Sequence, residues 1–394
     1  MTTTSRRSFL FLSSTGLAAV AAKAGASPLS PDAAAQLLDP YYSELEAKVE
    51  LPRAADGPEL DTATLVSHIA FGSCNNQTRD QAFWDVIAAQ DPQLFLYIGD
   101  NVYGDPGWDG GADLGSLRRA YERLAGFPQF DRFRRKVPML TVWDDHDFGF
   151  NDGGGNFPFK RWSEHIYETF WNAPEDVRSH EGAYHARIYG PKGRRLQVIL
   201  LDTRVNRAPW LPPAEGESLS GPGRYKPDSS DAAVMLSEEQ WAWLDEELAK
   251  PADLRLVVSS IQVSSDAHRW EGWQLMPVER ARLHRALAAR AGGGLVLLSG
   301  DRHVGGIYRT EPEGFADGLW EITSSSLNQP NATNEQATAR EPDKDRVTPM
   351  VGDANFGGVA IDWKRKTVTL TLYRTDGEAL QAKDMRWKSS KRKA

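Results

Sequence analysis

The sequence predicts an α/β protein, and two observations carry the prediction. Apolar runs of strand length recur from about residue 64, each ending in a cluster of polar or acidic residues. Helical patterns lie between some of them. The runs are LVSHIAF before Gly72, LFLYI before Gly99, PMLTVW before Asp144, LQVILL before Asp202, LRLVVSSIQV, and GLVLL before Ser299. One helix is expected to start at Ser237, with Gln240 as the reciprocal partner of a capping box and Leu236 and Trp241 as a hydrophobic staple. Its apolar stripe is Trp241, Leu244 and Leu248. A second helix runs from about Val278 to Ala291 and stops at Gly292-Gly293-Gly294. WEITSSS, FGGVAIDW and KTVTLTLYR read as strands without intervening helices. Open sheets of this kind place their sites at strand ends.

Three segments are expected along the chain. Residues 1–26 read as an export signal: polar MTTTSRRS, then the short apolar stretch FLFLSSTGLAAVAA, then small-residue cleavage sites at Ala22-Lys23-Ala24 or Ala24-Gly25-Ala26. The apolar stretch is too brief for a membrane span. Arg6 and Arg7 resemble the twin-arginine signal, read by a translocon that moves folded proteins, so the destination is periplasmic or secreted and that translocon is a partner during export. Residues 27–63 form a Pro-, Ala- and acid-rich lead-in with short helical candidates at AAAQLL and YYSELEAKV, and residues 64–394 a single catalytic domain ending in a basic tail. With 40% hydrophobic and 25% charged residues the chain has an ordinary globular composition. The net charge of −8 and pI of about 5.6 argue against a nucleic-acid binder, which needs a basic footprint to neutralise phosphates. Small anionic substrates need only a local positive site. The one cysteine, Cys74, rules out an intramolecular disulfide and needs another reason to be present.

That reason lies in four strand ends. They are Gly72-Ser73-Cys74-Asn75-Asn76, Gly99-Asp100-Asn101-Val102-Tyr103-Gly104-Asp105, Trp143-Asp144-Asp145-His146-Asp147 followed by Asn151-Asp152, and Gly300-Asp301-Arg302-His303. Each puts potential ligands in a turn directly after a buried strand, where they can converge. Carboxylates gathered there are costly to bury unless a multivalent cation balances them. Asp and Asn oxygens suit calcium, magnesium or manganese, whereas a Cys74 thiolate and a Tyr103 phenolate call for a strong Lewis acid. Because Tyr titrates near 10 in solution, its coordination at neutral pH points to ferric iron. A mixed site follows: iron at Cys74, Asp100, Tyr103 and His303, and a harder cation at Asp100, Asp145 and Asp301, with Asp100 bridging.

GDxxY after an apolar strand, the DDHD cluster and GDxH resemble the calcineurin-like metallophosphoesterases, and GSCN in the first position resembles their alkaline phosphatase D (PhoD-like) branch. The resemblance spans residues 64 to about 375. It implies a four-layer α/β/β/α sandwich of two facing sheets with helices outside. It also implies an iron plus calcium centre, with manganese, magnesium or zinc as substitutes, and Asn151 or Asp152 as extra ligands. Two departures stand out: there is no room for a separate N-terminal β-domain, and no obvious C-terminal helix covers the site.

The chemistry expected of such a site is phosphate-ester hydrolysis. Adjacent metals polarise phosphoryl oxygens and lower the pKa of a bound water from 15.7 towards ~7. Asp145 serves that centre. His146, flanked by Asp145 and Asp147, is the expected acid for the leaving alkoxide. Arg204, oriented by Asp202, is the expected phosphate ligand, with Arg302 a second candidate. Residues 205–232, long and irregular, suit a lid, and the Trp-rich stretch 268–273 an apolar wall. The competing reading is a phospholipase of C or D type, which would use the same metal chemistry with an apolar rim and a membrane surface as partner. A noncatalytic metal-binding secreted protein is the third.

Overall fold

A computed structural model describes residues 33, 36–290 and 293–387 of the chain. The expected signal, residues 1–26, and most of the basic tail lie outside the described residues. Twelve strands are described: β1 (His68–Gly72), β2 (Leu94–Ile98), β3 (Met139–Val142), β4 (His185–Tyr189), β5 (Leu196–Leu200), β6 (Leu254–Val258), β7 (Gly294–Ser299), β8 (Gly306–Thr310), β9 (Leu319–Thr323), β10 (Asn355–Asp362), β11 (Thr367–Arg374) and β12 (Ala379–Arg386). They form two six-stranded sheets, ordered β12-β11-β10-β1-β2-β3 and β4-β5-β6-β7-β9-β8. In the first, β1, β2 and β3 are parallel and β10 to β12 antiparallel. In the second, β5, β6, β7 and β9 are parallel, with β4 and β8 as antiparallel edges.

Side-chain alternation along the strands sorts the layers. Leu196, Val198 and Leu200 of β5, with Leu254, Leu256 and Val258 of β6, share one core with Phe71 of β1 and Leu96 of β2. Their neighbours Ile199, Val257 and Leu297 face the other way, onto Trp241, Leu244 and Leu248 of the helix Glu238–Ala249 and Leu283 and Leu287 of the helix Pro277–Arg290. Across the first sheet, Phe95 and Tyr97 meet Trp84 edge-on at 5.5 and 5.4 Å, and Phe133 and Trp171 join them from the helices Pro128–Lys136 and Lys160–Trp171. The resulting order is helices, sheet, sheet, helices. Because β1, β2 and β3 run parallel, as do β5, β6 and β7, the turns that follow them gather at common sheet ends.

The helix after Ser237 forms as expected at its first hydrogen bond, from Gln240 N to Ser237 Oγ at 3.1 Å. The return half of the capping box does not form. Gln240 is buried, and its amide instead brackets Asp202, accepting from Asp202 N at 2.9 Å and donating to Asp202 O at 3.0 Å. A side chain that was expected to cap its own helix thus ties that helix to the end of β5. The lead-in packs on the catalytic domain: Tyr42 stacks on Trp162 at 5.1 Å, Arg161 pairs with Asp39, and Ala54 N donates to Phe170 O. Among the described residues no helix is long and apolar enough to cross a membrane.

Candidate metal centre

Four turns bring the expected ligands together, and their backbone is bent to do so. Cys74, Asp100, Asp301 and His303 all have left-handed φ, at 58°, 48°, 66° and 54°. Such conformations cost a non-glycine residue on the order of 1–3 kcal/mol each and persist where the surroundings impose them, as at functional sites. Gly99, before Asp100, has φ 114°, and a Cβ there would come within 2.6 Å of Asp144 Cβ. Glycine is needed at this point for close approach as well as for the turn.

Cys74 Sγ lies 3.3 Å from Asp100 Oδ2, the Tyr103 hydroxyl lies 3.3 Å from the same oxygen, and that hydroxyl is 2.8 Å from His303 Nε2. Ligand atoms of Cys74, Asp100 and His303 all fall within 4.8 Å of one another. Asp145 completes a second such group with Asp144 and Asp301, and a third with Asp152 and Glu271. The chemistry of these donors tests whether cations fit. Burial, with Cys74 and Asp145 close by, holds the Asp100 carboxyl well above its ordinary value, and burial pushes the Cys74 thiol up to about 12. Burial and Asp144 likewise raise Asp301. Asp144 Oδ2 is buried with no hydrogen-bond partner beside Asp145 and Asp301. Bound cations would relieve each of these, so the donor set fits them.

His146 sits between this centre and Asp105. Its Nδ1 is 2.6 Å from Asp105 Oδ1, its ring lies against Tyr103 at 4.2 Å, and its backbone N–H donates to Asp100 and Asp145. Burial alone would lower its pKa, but Asp145, Asp100 and Asp105 together hold it well above the ordinary value. Asp105, the last residue of the second motif, takes its role from this contact and not from any ligand spacing. Asp147, expected beside His146, faces elsewhere: its carboxylate accepts from Asn101 N, Asn101 Nδ2 and Asp144 N. It braces the turns and leaves the histidine to Asp105.

Arg204 requires the clearest correction. The expected phosphate ligand is fully buried, its Nε donates to Asp144 at 2.5 Å, and its two amino groups donate to Glu271 at 2.6 and 2.9 Å. Nη1 also donates to Gly153 O. Burial would lower its pKa, but Asp144 and Glu271 hold it well above the ordinary value, so it is a permanent buried cation. With its donors committed, it cannot also fork onto a substrate phosphate; it anchors the two acids behind the centre. Asp202, expected to orient it, holds its backbone: the Asp202 carboxylate accepts from Arg204 N at 2.7 Å. Glu271 was missed because it lies in Arg269-Trp270-Glu271-Gly272-Trp273, where the tryptophans drew attention to packing.

A cavity of about 580 Å³ opens over the centre and is lined by Tyr103, Asp145, His146, Asn151, Asp152, Asp301 and His303. Asn151 stands exposed on its wall, and Asp152 carries the carboxylate that reaches Asp145 and Glu271. The segment expected to act as a lid is fastened on this side. Arg224 N and Tyr225 N donate to Arg269 O, Lys226 N donates to Leu211 O, and Trp210 Nε1 donates to Glu271. Trp270 lines the cavity as the expected apolar wall, whereas Trp273 is wholly buried. A helix unseen in the sequence, Asn334–Arg340, also borders the cavity through Ala337 and Arg340, so one C-terminal helix does flank the site.

Comparison with known proteins agrees with this architecture. The chain matches none of the curated proteins at a significant level. The solved structure of PhoD superposes with a TM-score of 0.61 at 14% identity, covering 87% of this chain and 74% of that one. A dimetal phosphatase from Danio rerio aligns at 13% identity over 82% of this chain and 100% of its own, with a TM-score of 0.46. The family model for PhoD-like phosphatases matches residues 69–372, which take in all four motifs. The chain therefore belongs to the PhoD-like phosphatase family and is a metal-dependent phosphoester hydrolase.

Proposed function

We propose that this chain is exported and hydrolyses small phosphate esters with a centre of iron and calcium. The observation that carries the reading is the convergence of Cys74, Asp100, Tyr103 and His303 around one point next to the Asp145 and Asp301 group. Cys74, Asp100, Tyr103 and His303 would hold iron, because a thiolate and a phenolate together favour a strong Lewis acid. Asp100, Asp145 and Asp301 would face calcium, with Asp152 and Asn151 close by. Bound there, the cations supply positive charge to the phosphoryl oxygens and lower the proton affinity of water. The protein's own residues do the rest. His146, oriented by Asp105, lines the cavity and donates a proton to the departing alkoxide. Arg204 holds Asp144 and Glu271 fixed as the acids behind the centre.

Two measurements test this reading. Protein folded in the cytoplasm and purified should contain iron with calcium as the second ion, and chelation should abolish hydrolysis of an aryl phosphate. Full activity with zinc alone would remove the iron assignment. A preference for phospholipid over soluble esters would favour the phospholipase reading instead. Export rests on Ser5-Arg6-Arg7-Ser8-Phe9-Leu10. Replacing Arg6 and Arg7 by Lys should leave folded, active enzyme inside the cell, and unchanged export would mean that another route is used.

A further inference from the structure

With Arg204 committed to two buried acids, the arginines on the cavity wall are Arg224, Arg302 and Arg340. The acids lining the same cavity are Asp145, Asp152, Glu271, Asp301 and Glu341. The first four belong to groups able to hold metal ions, and Asp152 also pairs with Arg224 at 3.4 Å, so Glu341 is left to balance Arg302 and Arg340. The wall beyond the centre is therefore positive. A phosphoryl group occupies only part of about 580 Å³, so the remainder of a substrate lies against this wall.

Arg302 is the arginine built into that wall. It sits between Asp301 and His303, both of which have left-handed backbone. It is 9% exposed and borders the cavity. One amino group donates to Glu341, whose own side chain is 12% exposed, while Arg302 Nε is buried without a hydrogen-bond partner. A guanidinium steadied on one side and unsatisfied on another is prepared for an anion, and its planar donors suit carboxylate or phosphate geometry. Glu341 follows directly after the helix Asn334–Arg340, which is seated by Ala337 and Met350 against Val304, next to His303. The clamp is thus supported by a small apolar cluster of its own.

Resting on the phosphoesterase reading, we propose that Arg302, steadied by Glu341, receives a second anionic group of the substrate beside the phosphoryl group. Arg340 on the exposed rim adds to the attraction, while Arg224, half-exposed over the Trp270 ring at 5.2 Å, is paired with Asp152. The favoured substrates are phosphate esters whose leaving part carries a carboxylate or a further phosphate. Specificity of this kind comes from pairing a group that the singly anionic analogue lacks.

The test compares kcat/KM for phenyl phosphate with that for 3-carboxyphenyl phosphate, and for a simple alkyl monophosphate with that for the corresponding bisphosphate, in metal-loaded enzyme. The parent should favour the doubly anionic member of each pair by about ten-fold or more, Arg302→Met should erase the preference, and Arg302→Lys should keep part of it. A preference in only one pair identifies the second anion as carboxylate or phosphate. Should Arg302→Met fail to fold, the same preference is read in the parent by competition, with phosphonoacetate expected to inhibit more strongly than methylphosphonate. No preference in the parent, or one that survives in Arg302→Met, overturns the assignment. A parent that hydrolyses none of the four esters instead overturns the reading beneath it that small phosphate monoesters are substrates.

Discussion

Replacing Arg204 by methionine is expected to destabilise the fold by about 3–5 kcal/mol and to remove activity on every phosphate ester alike. The magnitude follows from what is left behind. Asp144 and Glu271 are 1% and 2% exposed, and each would lose its buried countercharge. Removing one partner of a buried pair costs far more than the pair itself contributes, because the remaining charge has neither water nor a partner. Glu271 would keep Trp210 Nε1 and Arg207, the latter only at 3.3 Å against 2.6 Å for Arg204. Asp144 would keep only the Ser260 hydroxyl at 2.6 Å among its named side-chain donors. Urea unfolding of parent and variant measures the loss directly. A variant of parental stability would show that the cluster is not held by this arginine. A stable variant that loses monoester but keeps diester hydrolysis would return Arg204 to the substrate-binding role its sequence position suggests.

Loss of the His146 imidazole should separate substrates by their leaving groups. His146→Ala is expected to slow alkyl esters by ~10²-fold or more while sparing activated aryl esters, since a proton donor matters most when the departing oxygen is a poor leaving group. Asp105→Asn should show the same selectivity more weakly. Its carboxylate is the hydrogen-bond partner of His146 Nδ1 at 2.6 Å and one of the charges that keep the ring protonated. The pair of variants distinguishes a positioned acid from a structural histidine. Equal losses on alkyl and aryl esters would mean that His146 only supports the turn, where its backbone N–H already bonds Asp100 and Asp145.

Arg204 changed its role between sequence and structure, whereas His146 kept its role and changed its partner from Asp147 to Asp105. Ligand type is a local property. A Cys, Asp, Tyr or His in a turn directly after a buried strand announces itself by spacing, so Cys74, Asp100, Tyr103, Asp145, Asp301 and His303 were legible and come together in space. The role of an arginine is not local, because a guanidinium at a strand end looks the same whether it faces solvent or is consumed by Asp144, 60 residues away, and Glu271, 67 away. Asp105 and Asp147 repeat the point: Asp147 stands next to His146 in sequence and Asp105 lies 41 residues away, yet the path of the turns brings Asp105 to the ring.

By itself the sequence determined the interior strands, their polar ends, the two helices that pack on the second sheet and the metal-binding character of the site. These depend on apolar runs and turn residues that act over a few positions. Three of the four sheet edges, β4, β8 and β12, escaped it. An edge strand pairs on one side only and carries polar residues, as ALQAKDMR does in β12, so its pattern is indistinguishable from a loop until a neighbour is present to pair with it. Only the tertiary structure could decide which charges neutralise one another, because that depends on contacts such as Arg204 to Glu271 and Arg302 to Glu341 between segments distant along the chain. The same contacts decide which cations remain to meet a substrate.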